Sequence, residues 1–261
     1  MKRIAPVVLS VLLLLSLASC AASSSAPAST QPVVTTQAPA PEVKSEGVIT
    51  YEQYMSEPLE VRVQVESYVQ AKESLRDGRA TVYTQDQDGA YLVLEAVCSA
   101  SDYEKLVPGQ KVSVTGYKTV VAGQVQIVDG SIRPVQGGSF VAEPVDLTDS
   151  LSSEDIADYQ NCLARFCGMT VTAAGRDANG KELPYLYGRD NTGSEGDDLY
   201  FQVSTGGRTY TFMVASGLCG ADSEVYKAVQ GLKLGDQIDA EGFLCWDEDV
   251  CPRITSIAEA K

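Results

Sequence analysis

From Glu60 to Glu66 polar and apolar residues alternate without a break. Val61, Val63 and Val65 fall on one side, and Glu60, Arg62, Gln64 and Glu66 on the other. A period of two predicts a strand with one buried and one wetted face. Ala80 to Asp86 and Ala90 to Val97 read as two further strands. They are joined through Gln87-Asp88-Gly89, where a glycine after an aspartate suits a tight hairpin connection. Ser101-Asp-Tyr-Glu104 has capping-box spacing and predicts a short helix running to Leu106. Lys111 to Tyr117 alternates again with Val112 and Val114 inward, and Gln124 to Val128 supplies a fifth strand.

Three strands, a short helix and two strands is the order of the OB-fold, a five-stranded Greek-key barrel. The second half repeats it. Leu106-Val-Pro-Gly-Gln-Lys-Val-Ser-Val-Thr-Gly-Tyr117 aligns with Leu232-Lys-Leu-Gly-Asp-Gln-Ile-Asp-Ala-Glu-Gly-Phe243 at a constant offset of 126 residues. Strands are expected at Met169 to Ala173, Leu199 to Val203, Thr209 to Ala215 and Ile254 to Ile257, with a helix over Asp222 to Leu232. Short helical lead-ins are expected at Tyr51 to Met55 and Ile156 to Cys162. The fold class is therefore all-β: two tandem five-stranded OB-like barrels, over 47–138 and 139–261, each with a short helix between its third and fourth strands.

The N-terminus reads as an address. Lys2 and Arg3 precede an apolar run from Ile4 to Leu17 that is too short for a permanent membrane span but suits a secretory signal. The run ends in Leu17-Ala18-Ser19-Cys20, which resembles the lipobox of bacterial lipoproteins. The resemblance implies a signal peptide over 1–20, a lipid on Cys20 and an extracytoplasmic location on the cell membrane. Residues 21–46 are rich in Ala, Ser, Pro and Thr, a composition with too little apolar surface to order itself, and read as a tether.

Tyr51-Glu-Gln-Tyr-Met-Ser-Glu-Pro-Leu59, Val65-Glu-Ser-Tyr-Val-Gln-Ala71, Thr81-Val-Tyr-Thr-Gln-Asp-Gln-Asp-Gly-Ala-Tyr91 and Val114-Thr-Gly-Tyr-Lys118 resemble a module of bacterial surface lipoproteins. More distantly, the stretch ending at Tyr91 is similar to OB modules of secreted nucleases and of the anticodon-binding type. The resemblance implies a binding fold outside the cell and carries over no catalytic residue.

Composition narrows the function classes. The 261 residues include no histidine, which excludes Ser-His-Asp and Cys-His machinery and His-ligated zinc. No nucleophile elbow or phosphate-cradling glycine loop is visible, so a binding role is expected rather than an enzyme, with no cofactor. Net charge is −4 over 48–138 and −12 over 139–261. Nucleic-acid binding leans on lysine and arginine, so this balance ranks nucleic acid last. A nucleic-acid partner would need Lys72, Arg76, Arg79, Lys111 and Lys118 on one side of the first barrel.

The ligand ranked first is a carbohydrate, peptide or other cell-envelope molecule on a shelf formed by Tyr83, Gln85, Tyr91 and Tyr117, although packing of those tyrosines between strands is the stronger reading. The alternative is an adaptor lipoprotein meeting a protein partner, with an apolar patch near Phe140 to Leu151. Cys245 and Cys251 flank a hairpin tip within reach of a disulfide, and paired reduced thiols are the competing reading. Cys162 and Cys167 can pair with each other or with Cys219, and Cys98 reads as a single buried thiol. Asp190, Asp197 and Asp198 are weak calcium candidates in an acidic, glycine-containing loop that lacks the EF-hand order.

Overall fold

The computed structural model describes residues 44–260. The first barrel is built from β1 (Arg62–Lys72), β2 (Arg79–Gln85), β3 (Ala90–Val97), β4 (Gln110–Val121) and β5 (Gln124–Ser139). They close in the order β1-β2-β3-β5-β4, with β3 and β5 parallel. Helix α1 (Tyr51–Ser56) precedes it, started by a capping box in which Thr50 and Gln53 bond each other's backbone. Helix α2 (Ala100–Tyr103) joins β3 to β4. Its N-cap is Ser99, whose side chain accepts from the Asp102 N–H. The cap expected at Ser101 therefore lies two residues earlier, and the helix is a single turn. The first strand also starts later than expected, because Glu60 has φ 62°, a left-handed conformation that interrupts extended chain.

The second barrel repeats the plan. β6 (Val145–Asp146) adds an edge to β7 (Leu163–Thr172). The connection to β11 (Leu199–Thr205) holds a small hairpin, β8 (Gly175–Arg176) with β9 (Glu182–Leu183), and then β10 (Tyr185–Tyr187), which pairs with β11. β12 (Arg208–Val214) leads through α3 (Glu224–Gly231) to β13 (Gln237–Phe243). A hairpin of β14 (Trp246–Asp247) and β15 (Asp249–Val250) follows, and then β16 (Arg253–Glu259). Pairing of β7 with β11 and of β13 with β7 closes the ring β7-β11-β12-β16-β13. The expected lead-in helix is a pair of 3₁₀ turns, Asp149–Ser152 and Glu154–Tyr159.

Each barrel has its own core, as period-two strands dictate. Val63, Val65, Val82, Val93, Val112, Val114 and Ile127 fill the first. Phe166, Val171, Phe201, Val203, Phe212, Ile238 and Ile254 fill the second, where Phe166 and Phe212 sit 4.9 Å apart. A third cluster, Tyr83, Leu92, Phe243 and Cys245, joins the barrels.

Candidate functional site

In an OB barrel, the outer face of strands two and three and the loops after strands one and four form the usual ligand surface. In the first barrel this surface is occupied by the second barrel. The ring of Tyr83 on β2 stacks on Phe243 of β13, with centroids 4.5 Å apart and planes at 22°. The Tyr83 hydroxyl donates to Glu73 Oε1 (3.0 Å) and accepts from Arg253 Nη1 (2.6 Å). The Leu163 N–H donates to Gln85 Oε1 (2.9 Å). The β4–β5 turn is seated the same way: the Glu248 N–H donates to Ala122 O (2.8 Å), and Gln160 Nε2 to Gly123 O (3.1 Å).

The predicted shelf is accordingly inside the molecule. Tyr83, Gln85 and Tyr91 are buried, and only Tyr117 stands exposed. Tyr91 makes edge contacts with Tyr51 (5.4 Å) and Tyr54 (5.0 Å), and burial raises its hydroxyl pKa well above the ordinary tyrosine value. Four of the five basic residues that a phosphate-binding stripe would need are held in contacts within the first barrel, and Arg76 stands exposed. Lys111 pairs with Glu66 at 3.0 Å, both nearly enclosed. Lys118 Nζ donates to the carbonyls of Met55 and Glu57, 2.7 Å each, and Lys72 Nζ lies 3.8 Å over the Tyr103 ring. Arg79 donates to Glu95 O at 3.0 Å.

Cys245 and Cys251 do not form the bridge that hairpin spacing allowed: both are free, buried thiols, as are Cys98 and Cys162. They pack into different clusters, Cys245 with Tyr83, Leu92 and Phe243, and Cys251 with Met213 and Ala215. Cys162, Cys167 and Cys219 are likewise unbridged. The calcium candidates fold their own loop instead of converging. Asp190 Oδ1 accepts from Thr192, Asp197 Oδ2 from Ser194, and Asp198 Oδ1 from the N–H and hydroxyl of Ser216. Among the described residues no three Cys, Asp or Glu side chains are grouped to hold a metal.

The corresponding surface of the second barrel is open. Pairing of Tyr200 with Met213, Gln202 with Thr211 and Ser204 with Thr209 puts these residues on one face, because their neighbours Phe201, Val203 and Phe212 point into the core. This face looks across a cleft of about 320 Å³ toward the outer face of β3 and β5. Leu94 and Gln126 line the cleft from the first barrel, and Tyr200, Met213, Trp246 and Arg253 from the second. Arg189 sits at its edge, 5.8 Å from the Tyr200 ring, with Nη2 2.6 Å from Asp247 Oδ2. Burial works against the charge of Arg189, but Asp247 together with Cys251 and Tyr200 outweighs it and its pKa is raised. Asp198 accepts from Ser216 and Asp247 pairs with Arg189, so the cleft presents rings and amides beside two carboxylates already held in internal contacts. None of Arg189, Tyr200, Gln126 or Trp246 was singled out from sequence. The one available signal was the polar phase of β5, in which Gln124 and Gln126 alternate with core residues.

No protein-family model matches the chain, and no curated protein sequence does. Solved structures similar to it include a murine DNA-binding protein bound with double-stranded DNA, at 9% identity over 76% of this chain and 96% of that one, with a TM-score of 0.36. A replication protein A heterotrimer bound to single-stranded DNA follows at 11% identity over 77% and 49%, TM-score 0.29. The single-stranded DNA-binding protein of Thermus aquaticus gives 14% over 78% and 96%, TM-score 0.23. These likenesses are too distant to transfer residues or a ligand. The ranking made from charge sets envelope carbohydrates, peptides and protein partners first and nucleic acid last, whereas these structures are described as DNA-binding proteins. The ring shelf required by the first ranking is also packed away.

Proposed function

We propose that the protein is a non-catalytic binder of single-stranded nucleic acid, and that the cleft between the β11–β12 face and the first barrel is its contact site. The carrying observation is that the one OB ligand face left uncovered bears Tyr200 and Trp246, with Arg189 beside them. Aromatic side chains hold unpaired bases by stacking, worth about 1–3 kcal/mol per base. A narrow cleft admits a splayed base and excludes a duplex. The acidic surface keeps phosphates at the periphery, so affinity rests on stacking. With Arg189 as the cation at the edge, log K against log salt should fall with a slope no steeper than about −0.7.

The localisation expected from sequence belongs to the same proposal: Cys20, which lies outside the described residues, carries the lipid that holds the protein on the outer side of the cell membrane. Palmitate labelling that disappears in Cys20→Ser supports this, and labelling unchanged in that variant refutes it. The binding proposal is tested by fluorescence anisotropy of labelled oligonucleotides with the full chain. Tyr200→Ala is expected to weaken single-strand binding about tenfold. Affinity unaltered by Tyr200→Ala would remove the cleft from the account.

A further inference from the structure

We infer that the site takes two nucleotides of one strand, the second in a cavity that continues the cleft along the free edge of β12; this inference rests on the nucleic-acid reading above. The second cavity, of about 290 Å³, shares Asp247 and Cys251 with the cleft and is lined further by Thr209, Thr211 and Asp249. Arg189 also lines it, while its guanidinium lies 5.8 Å from the Tyr200 ring of the cleft, so this side chain stands at the junction.

Strand register explains what the cavity offers. The turn at Gly206 and Gly207, both with positive φ, closes on Thr205 and Arg208, and from there hydrogen-bonded and open pairs alternate along β11 and β12. The Met213 N–H points out of this pair and donates to Pro252 O (3.0 Å). By the same period of two, the amides and carbonyls of Thr211 and Thr209 also face away from β11. β16 joins β12 only at Met213, so among the described residues no strand pairs with this edge at Thr211 or Thr209. An unpaired edge of this kind is a ready template for a ligand with donors and acceptors of its own.

The strand rises about 14 Å from Thr209 to Met213, the reach of two extended nucleotides. An edge that alternates donors and acceptors can serve any base, so the second position is expected to tolerate all four. Charge sets the limit. Arg189, half-exposed at the junction, can meet the phosphate that links the two nucleotides. Asp249 is exposed and has no ion pair among the described residues, so it repels the phosphate that would follow.

Competition by unlabelled oligo-dT of one to six nucleotides against a labelled strand, on the full chain, tests the count. Affinity should rise about tenfold from one nucleotide to two and then level off, apart from the statistical gain of extra registers. Thr211→Leu fills the cavity from an outward-facing position and should erase that step with little change in Tm; Thr209→Leu repeats the test should the first variant fail to fold. Equal affinity for one and two nucleotides, a step that survives both variants, or a further tenfold gain at three or four overturns the two-nucleotide site and leaves the cleft reading intact. Binding at no length overturns both the inference and the reading beneath it.

Discussion

Arg253 is the residue on which the two barrels meet most closely: it donates to the Tyr83 hydroxyl, which donates in turn to Glu73, and Glu73 lies 4.0 Å from the guanidinium. Removing the middle of this chain strands a largely enclosed guanidinium. Tyr83→Phe keeps the ring stacked on Phe243 but deletes the hydroxyl, and should cost about 1–3 kcal/mol in urea denaturation. The buried thiols add a second residue-scale expectation. Burial raises Cys245 to about 11 and Cys251 to about 12, from an ordinary 9.0. The folded state thus favours the neutral thiols. Their contribution is complete below pH 9 and is lost as pH climbs toward 12. Alkaline denaturation should therefore steepen across that window, and Cys251→Ala should flatten it; an unchanged profile in the variant would refute this reading.

Among the elements, the internal repeat has a backbone meaning that its glycines make plain. Gly109 and Gly235, equivalent at the 126-residue offset, both take positive φ, 86° and 89°, at the entry to β4 and β13. Gly116 and Gly242, equivalent in the same way, sit where the strand bulges against its partner. An added Cβ would lie 2.5 Å from Ile127 in the first case and 2.1 Å from the Arg253 carbonyl in the second. The two sites should respond differently. Gly235→Ala has open space and only the conformational strain of its φ, about 1 kcal/mol. Gly242→Ala must displace backbone and should cost about 3 kcal/mol. Chemical denaturation of the pair measures the difference, and equal losses would refute the close-approach role of Gly242.

This is also where sequence was most legible. Val112, Val114, Ile238 and Ala240 are buried as their alternation required, and strand order followed from the hairpin and helix signals. Boundaries were less legible, because the left-handed Glu60 and the cap at Ser99 depend on the chain's exit geometry rather than on periodicity.

At the scale of the molecule, the decisive feature was hidden from sequence. Tyr83, Gln85 and Leu92 alternate outward on β2 and β3 as a wetted ligand face would, and nothing local records that Phe243, Leu163 and Cys245 cover them. The final position of the repeat, Tyr117 in one copy and Phe243 in the other, shows the divergence. Tyr117 remains exposed while Phe243 is buried against Tyr83. Docking thereby uses up one OB ligand face and creates a cleft beside the other, built from Gln126 and Leu94 on one barrel and Tyr200 and Trp246 on the other. The one-dimensional pattern reports burial only within each barrel, so the cleft residues carry no mark in the sequence while the enclosed tyrosines have the pattern of a ligand face.

Trp246 is the only tryptophan in the chain and borders this cleft, so its emission reports directly on occupancy. Titrating the full chain with a short single strand should quench that fluorescence saturably, and Tyr200→Ala should shift the midpoint to higher concentration. Emission that stays constant while the strand binds would place the ligand elsewhere and contradict the central claim.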